Sequence, residues 1–498
     1  MRKMTKGSDF MRNVLVIGGG VSGVTTAIAL ASEKIKVTLM EGNDCLLKKL
    51  LITGNGRCNF YNEDQSLNHY HSTHRELLHQ FLTEENPLQA LNFIESLGIV
   101  PFVKNSYYYP FTNKASTVYE AFLEKLSKTN VKVLLNHKVR SIEIKESGFL
   151  IDNEFYTDVV LATGSKAYPL TGSDGSGYHL LPSLKETIIP VLPSLTYLEC
   201  QTSYNKLWKG IRAQVKAKLY VNDEWIKEEV GELQFTESGL SGICIFNLSG
   251  AASLAIFQKK SVAVHLDFTP FTTDILKFLQ KWSEEKTIKE TLEGFLQEPL
   301  CKMILKQSKI KEDDTLNDIS EERIKKLMAN LTAYPISITG TGDFSKAQVC
   351  QGGISLKSVD MKSLCSLKYP HLYFAGEILD MDGDCGGYNL TLAILSRRIV
   401  DTGHSICFKN KHYRTVNSVG TPIYFGKGTK AMVIEAFDKK LYATVEDSIF
   451  ALEEIPEVQA YSENFDEILP TEPKRFYIPK MIHPWKRLSF EKFVEKQN

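Results

Sequence analysis

An α/β fold, in which a parallel sheet is interrupted by a β-rich domain, is predicted by three features. The β-branched run Val14–Ile17 breaks into Gly18-Gly19-Gly20-Val21-Ser22-Gly23 and continues as an apolar stretch to Ala31. Apolar strands return much later and end in Ala162-Thr163-Gly164 and in Ala375-Gly376-Glu377. Between Pro190 and about Gly340 the pattern changes to alternating strands followed by charged helices.

The glycine turn comes first. A β-branched strand that breaks into G-x-G-x-x-G and becomes helical lets the backbone approach a pyrophosphate, and it aims the helix amides and dipole at the phosphate charge. Val37-Thr38-Leu39-Met40 reads as a second strand closed by Glu41, which lies 18 residues after Gly23, near the usual spacing for a ribose-binding carboxylate. These residues predict a dinucleotide site and leave NAD and FAD equally open. A glycine-rich turn without function is the alternative.

Composition narrows the function classes. Lys plus Arg and Asp plus Glu both total 59, so no global field favours nucleic acid, an anionic membrane or an acidic substrate. A small, locally recognised substrate fits better. The 498 residues predict two or three domains. The stretch Val14–Ala31 is interrupted by four glycines, so it reads as buried strand and helix and not as a membrane span. No signal peptide is read before it, and Met1–Phe10 is taken as an extension or an upstream start. Nine scattered cysteines without a C-x-x-C pair predict a reducing cytoplasm, and neither they nor the histidines have metal-ligand spacing.

Further along, Lys48, Lys49 and Arg57 surround the turn Gly54-Asn55-Gly56, with Cys58 and Asn59 next. Cations and free amides suit phosphate oxygens, and the asparagines suit a sugar or ring edge; a solvated basic loop is the alternative. His69–Leu97 reads as an amphipathic helical region, Tyr107–Phe111 as an aromatic turn, Ala115–Leu126 as a helix and Val131–Leu135 as a strand. Ile142–Ile144 and Phe149–Ile151 read as a hairpin, followed by Val159–Gly164. An apolar strand ending in Ala-Thr-Gly belongs to a buried parallel sheet whose carboxyl end faces the ligand crevice.

With these pieces in order, the chain resembles the BaiN-like flavoproteins, also called the YhiN-like or aminoacetone oxidase family of NAD(P)/FAD-dependent oxidoreductases. The matching segments are Lys48–Asn59, Leu161–Tyr178, Gly231–Gly242, Gln351–Leu356 and Gly376–Asn389, within about Asn13 to Cys407. The resemblance implies a flavin disulfide-reductase-like, Rossmann-like FAD domain. It places the pyrophosphate on Gly18–Gly23, including Gly20 and Ser22, and the ribose on Glu41. Further cofactor contacts fall to Lys48, Lys49, Gly54, Gly56, Arg57, Cys58, Asn59 and the Val139 backbone. Ala162, Thr163, Gly164, Gly376, Glu377, Gly387, Tyr388 and Asn389 complete the implied set. The late strand Leu372–Glu377 and the helix Leu390–Val400, opened by Gly386-Gly387, favour FAD over NAD, because a helix N-terminus there can set its positive end against the flavin pyrimidine.

No second G-x-G-x-x-G follows a strand, so NADH or NADPH is expected to bind only transiently over the flavin. The resemblance implies either reduction of a conjugated ketone or oxidation of an amine or ketone by oxygen. A flavin-binding nucleic-acid modifier or a regulator without turnover is the alternative. No catalytic residue emerges from spacing; Tyr168, Tyr388 and Cys385 are pocket candidates. Asp380, Asp382 and Asp384 suggest a calcium loop, but Cys385 stands at the sharp-turn position and Thr391 at the bidentate one, so no metal is expected and Asp380 is read as a ribityl-chain or turn residue.

The expected domains are the FAD domain at 11–190 and 356–408, a β-barrel at 191–270 and 332–355, a helical insert at 271–331 and a β-rich extension at 409–498. Within the barrel, Leu195–Glu199, Ala213–Val221, Glu229–Phe235 and Ser261–Phe268 read as strands. Thr236–Ser241 is read as a turn either near the crevice or packed in the barrel. In the extension, strands are expected at Pro422–Phe425, Ala431–Phe437, Leu441–Val445 and Ile449–Leu452. The basic and aromatic end Lys474–Arg487 is the only hint of nucleic acid. The whole block, especially Gly428–Asp438 and Ile478–Lys486, is similar to the tail of insertion-sequence transposases, which implies a fusion left by a mobile element and not a DNA function. An appendage docked on the barrel is the alternative.

Overall fold

A computed structural model describes residues 12–396, apart from 33–34, 84–85, 272–273 and 283, and beyond them the strand segments within 406–454. The chain divides into two compact units, Met1–Thr402 and Gly403–Asn498. The first is organised by a five-stranded sheet in the order Leu372–Phe374, Asp158–Leu161, Arg12–Ile17, Ile35–Met40, Lys132–Leu134. All four pairings are parallel, and Val14 registers with Val37 on one side and Asp158 on the other. Val14, Leu15 and Val16 are fully buried, as strands covered on both faces must be. The helix Val21–Leu30 leaves the first strand through the glycine turn, and the hairpin read at 142–151 gains a third strand, Glu154–Tyr156.

Sequence periodicity misplaced two segments here. His69–Leu97 is not one helical region: Tyr70–His71 is a short strand paired with Asp382–Gly383, and helices occupy only Leu78–Phe81 and Asn86–Ser96. The aromatic run is a strand, Tyr107–Pro110, paired with Pro101–Lys104, so its tyrosines stand on alternate faces instead of forming a turn.

The second sheet of this unit has seven strands, in the order Tyr334–Ile338, Val262–Asp267, Arg212–Val221, Glu224–Phe235, Gly239–Ser241, Leu198–Glu199, Gly340–Thr341. Its two outermost strands are consecutive in the chain, separated only by Thr339, whose amide donates to the Glu199 carbonyl at 2.8 Å. The sheet therefore closes on itself, which removes its edges. The Thr236–Ser241 turn contributes a barrel strand and does not line the crevice. The helix Ile243–Phe257 packs on the barrel, and four helices, Ile275–Lys281, Ile288–Leu292, Glu298–Ser308 and Glu321–Thr332, form the insert.

Two cores result. One draws on residues 14–184 and 354–395, the other on 198–338. A two-stranded connection, Ile188–Ser194 against Val349–Ile354, links them. Among the described residues no helix is long and apolar enough to cross a membrane, and no group of side chains could hold a metal ion. The second unit, taken alone, is an antiparallel sheet in the order Ile406–Phe408, Lys411–Val416, Ser448–Glu454, Leu441–Val445, Met432–Glu435, with Pro422–Ile423 paired to Lys411–Val416. Met1–Phe10, residues 397–400, Gly428–Lys430 and everything from 455 onward lie outside the described residues.

Candidate active-site cleft

A cleft of about 930 Å³ is lined by both the sheet domain and the barrel. That is near the top of the range of roughly 300–1,000 Å³ usual for small-molecule and cofactor sites. One end is the glycine turn. Gly18 has φ +108°, and a Cβ there would lie 2.4 Å from the Ala162 carbonyl oxygen; one on Gly23 would lie 1.8 Å from the Gly18 oxygen. These two glycines let strand, turn and helix close on one another. Gly20 is different, because nothing lies within 4 Å of its Cβ direction and it starts the helix Val21–Leu30 without a side-chain cap. Gly20, Val21 and Ser22 thus present free amides to the cleft at the positive end of a helix.

Glu41 lines the same end. Its carboxylate accepts from the Gly19 amide at 2.6 Å and from the Asn43 amide and side chain, both at 2.7 Å. Oε1 takes both Asn43 bonds, so it is Oε2, bonded only to the Gly19 amide, that keeps lone-pair capacity for a further donor. The neighbouring lysines are not free cations. Lys48 pairs with Asp44 at 2.7 Å, and Lys49 with Glu377 at 2.8 Å, whose other oxygen accepts from the Cys350 amide. The expected attraction of phosphate to these lysines is correspondingly weakened by their own partners.

The middle of the cleft is the Lys48–Gly56 segment, a 3-10 helix broken where Gly54 and Asn55 turn left-handed at φ 55° and 57°. Arg57 lies over the Tyr109 ring at 5.5 Å. Two cleft-lining side chains carry buried polar atoms without a partner in the protein, Asn59 Oδ1 and Thr163 Oγ1. Such atoms are rare unless a ligand or water meets them. With the uncapped helix at Gly20 and the hydroxyl-ready Glu41, they fit an extended dinucleotide.

At the far end, Gly386 and Gly387 turn with φ 143° and 95°, and the helix Tyr388–Leu395 begins there without a side-chain cap. A Cβ on Gly387 would lie 2.5 Å from the Tyr61 amide nitrogen. Asn389 clamps the loop by accepting from the Gly383 amide and donating to the Gly383 carbonyl. The barrel supplies Leu195, Ile243, Phe246, Lys346 and Gln348, and Tyr107 and Tyr109 complete the wall.

Of the residues expected to hold cofactor, Gly23, Cys58, Val139, Asp380 and Tyr388 do not line the cleft, whereas the others do. Asp380 accepts from Ser72 Oγ and the Thr73 amide, both on Oδ2, and lies outside the cleft lining. The Cys58 thiol is buried, which pushes it up to about 12. Tyr388 is buried under the His69 ring, stacked at 4.7 Å.

The Asp-x-Asp-x-Asp run does not converge on one centre. Asp382 accepts from Ser194 Oγ at 3.2 Å, and burial lifts it to about 7. Asp384 alone lines the cleft, held by His69 Nδ1 at 3.1 Å, His71 Nε2 at 2.9 Å and Lys227 Nζ at 3.1 Å. Burial would raise its carboxyl, but the bond from His71 and the charges of Lys227 and His71 outweigh that and hold it below the usual carboxylate range. Glu229 pairs with the same lysine at 3.0 Å, and Asn247 accepts from the Cys385 amide. Burial pushes the Cys385 thiol up to about 12, so it is not a thiolate nucleophile. Sequence spacing missed this cluster, since Lys227 lies 157 residues from Asp384; the aspartate run was the only local signal.

Residues 12–402 match the HI0933-like protein Rossmann domain family. The chain belongs to that family. The match to the HI0933-like family ends at the boundary of the first compact unit. Over 394 residues the chain is 32% identical to a 3-dehydro-bile acid delta(4,6)-reductase of Clostridium scindens, covering 77% of this chain and 96% of that one. It is 25% identical over 399 residues to a ribosomal RNA dihydrouridine synthase of Haemophilus influenzae, covering 78% and 96%. A partial match, 40% over 109 residues, joins it to the transposase for insertion sequence IS1202 of Streptococcus pneumoniae, covering 22% of this chain and 23% of that one. This HI0933-like chain is an FAD-dependent oxidoreductase.

Proposed function

We propose that the chain saturates a carbon–carbon double bond conjugated to a carbonyl, using NADH or NADPH as electron donor, in the cytoplasm. The observation that carries this is the mixed lining of the cleft, which combines apolar Leu195, Ile243 and Phe246 with the phenols Tyr107 and Tyr109 and the buried carboxylate Asp384. An apolar wall holds a flat, electron-poor substrate, and protic side chains serve the carbonyl and the incoming proton. The names of two relatives, a delta(4,6)-reductase and a dihydrouridine synthase, both describe such a saturation.

In this reading the amides of Gly20–Ser22 bind the pyrophosphate, Glu41 the ribose hydroxyls, and Asn59 and Thr163 donors or acceptors of the cofactor. Lys49, Gly54, Gly56, Arg57, Gly164, Gly376, Glu377, Gly387 and Asn389 shape the rest of its seat. Bound FAD supplies two-electron transfer at the far end. Nicotinamide meets it transiently, in line with the single parallel sheet among the described residues. No disulfide joins the cysteines whose side chains are described, which supports a reducing compartment.

RNA is the competing substrate, favoured by the dihydrouridine synthase relative and opposed by the balanced charge of 59 against 59. Purified yellow protein should bleach anaerobically with NADH or NADPH and recover its colour on adding a cyclic enone. Recovery with uridine-rich RNA but not with enone would replace this reading by base reduction. Recovery only in air, with peroxide formed, would replace it by an oxidase.

A further inference from the structure

The cluster around Asp384 reaches beyond the cleft to the protein surface. His69 stands between two carboxylates, with Nδ1 3.1 Å from Asp384 Oδ2 and Nε2 3.1 Å from Asp64 Oδ2. Side-chain exposure falls along this line from 60% at Asp64 to 31% at His69 and 5% at Asp384. The imidazole is fixed by its stack on buried Tyr388, with ring planes 15° apart. The Asp384 amide also donates to the His69 carbonyl at 2.9 Å.

We propose that Asp64, His69 and Asp384 form a proton relay from solvent to the far end of the cleft, with His71 as a second branch onto Asp384. The proposal rests on the double-bond reduction above, which consumes one proton per turnover in a cleft shared with the barrel. A purely structural clamp would need less. Lys227 already neutralises Asp384 from the barrel side, and an exposed pair such as His69 with Asp64 adds little stability. What the outer pair adds is a protonic contact on the solvent side of a ring whose inner nitrogen touches a cleft residue.

The transfer balances without electrons. One proton leaves His69 Nδ1 for Asp384 Oδ2 while another arrives on Nε2 from Asp64 or water, so the charge of the ring is unchanged. Water at the exposed part of the ring then resets its tautomer. The other ionisable groups facing the relay are His71, Tyr388, Asp382, Cys385 and Tyr107 from the sheet domain, and Lys227 and Glu229 from the barrel.

Time-resolved proton uptake tests the relay. The full-length, FAD-loaded protein is reduced by a pulse of radiolytic electrons beside a pH-indicator dye, with no substrate present. His69→Phe keeps an aromatic ring on Tyr388 and should slow uptake about tenfold or more without changing its extent, and free imidazole should restore the rate. Unchanged uptake in His69→Phe overturns the relay. If that variant fails to fold or to hold FAD, nitrogen-15 NMR of labelled imidazoles in the cofactor-free protein decides. There Asp64→Asn should move the Nε2 signal of His69 and Asp384→Asn its Nδ1 signal, and an Nε2 signal indifferent to Asp64→Asn overturns the proposal. Because pulse reduction needs no enone, failure of the relay and failure of the double-bond reading are distinguishable.

Discussion

Glu41, the proposed ribose carboxylate, also has a structural role that its place in the sequence does not show. Its distance from the glycine turn is what assigns it to the ribose in the proposed reading, because strand, turn and helix have nearly constant lengths in such a unit. The structure adds that it ties the Gly19 and Asn43 amides together, so it also holds the turn in shape. Glu41→Ala should therefore lower FAD affinity by about 10- to 100-fold, the loss of one or two hydrogen bonds to a charged group at about 1.5–3 kcal/mol. Equilibrium titration of the apoprotein, with circular dichroism to confirm the fold, measures this; unchanged affinity removes Glu41 from the site. Lys49 is the opposite case. Its charge is plain in the sequence, but its partner Glu377 lies 328 residues away, and no local pattern reports that a cation is already paired.

Among the elements, period and length decided what could be read. The parallel strands stood out as short apolar runs, whereas the helix Ile243–Phe257 did not, because apolar residues such as Ile243, Phe246, Leu248, Ile256 and Phe257 leave no polar face for a helical period to reveal. The short strand Tyr70–His71 was hidden because its pairing with Asp382–Gly383 is made more than 300 residues away. Asp158 opens the strand Asp158–Leu161 at the end of the sheet remote from the glycine turn. It accepts from Arg12 Nε, Thr157 Oγ1 and His371 Nδ1, which joins three strands of the sheet at one carboxylate. Burial opposes its ionisation, but His371 and Arg12 prevail and hold it below the usual carboxylate range. A depressed folded-state pKa stabilises above the unfolded value and is lost as pH falls through the folded one. Asp158→Asn should cost about 3 kcal/mol at neutral pH, as expected for breaking a buried pair, and should flatten the acid limb of the stability curve. Urea unfolding between pH 2 and 7 tests this; parallel acid limbs in the two proteins would refute it.

At the scale of the whole molecule, polar contacts join the barrel and the sheet domain near the far end of the cleft. Ser194 of the connecting strand donates to Asp382, and Lys227 of the barrel to Asp384. Burial lifts Asp382 to about 7, against about 3.8 when unfolded, so the folded state binds the extra proton. Stability from this group is present at low pH and is lost as pH rises from about 4 to about 7, then stays level. Asp382→Asn, which cannot ionise, should be more stable than wild type at pH 8 and lose that advantage by pH 4. A gain that persists unchanged at pH 4 would show that ionisation is not the cause. By itself the sequence determined the parallel sheet, the glycine turn with its acid, the Ala-Thr-Gly strand and the late glycine pair, since each rests on local geometry or on a repeating period. Only the tertiary structure decided which lysines are already neutralised, which way each aspartate of the 380–384 run points, and that His69, His71 and Lys227 converge on Asp384. Pairing and burial depend on residues brought together from 157 to 328 positions apart, and nothing in a stretch of chain encodes them one residue at a time.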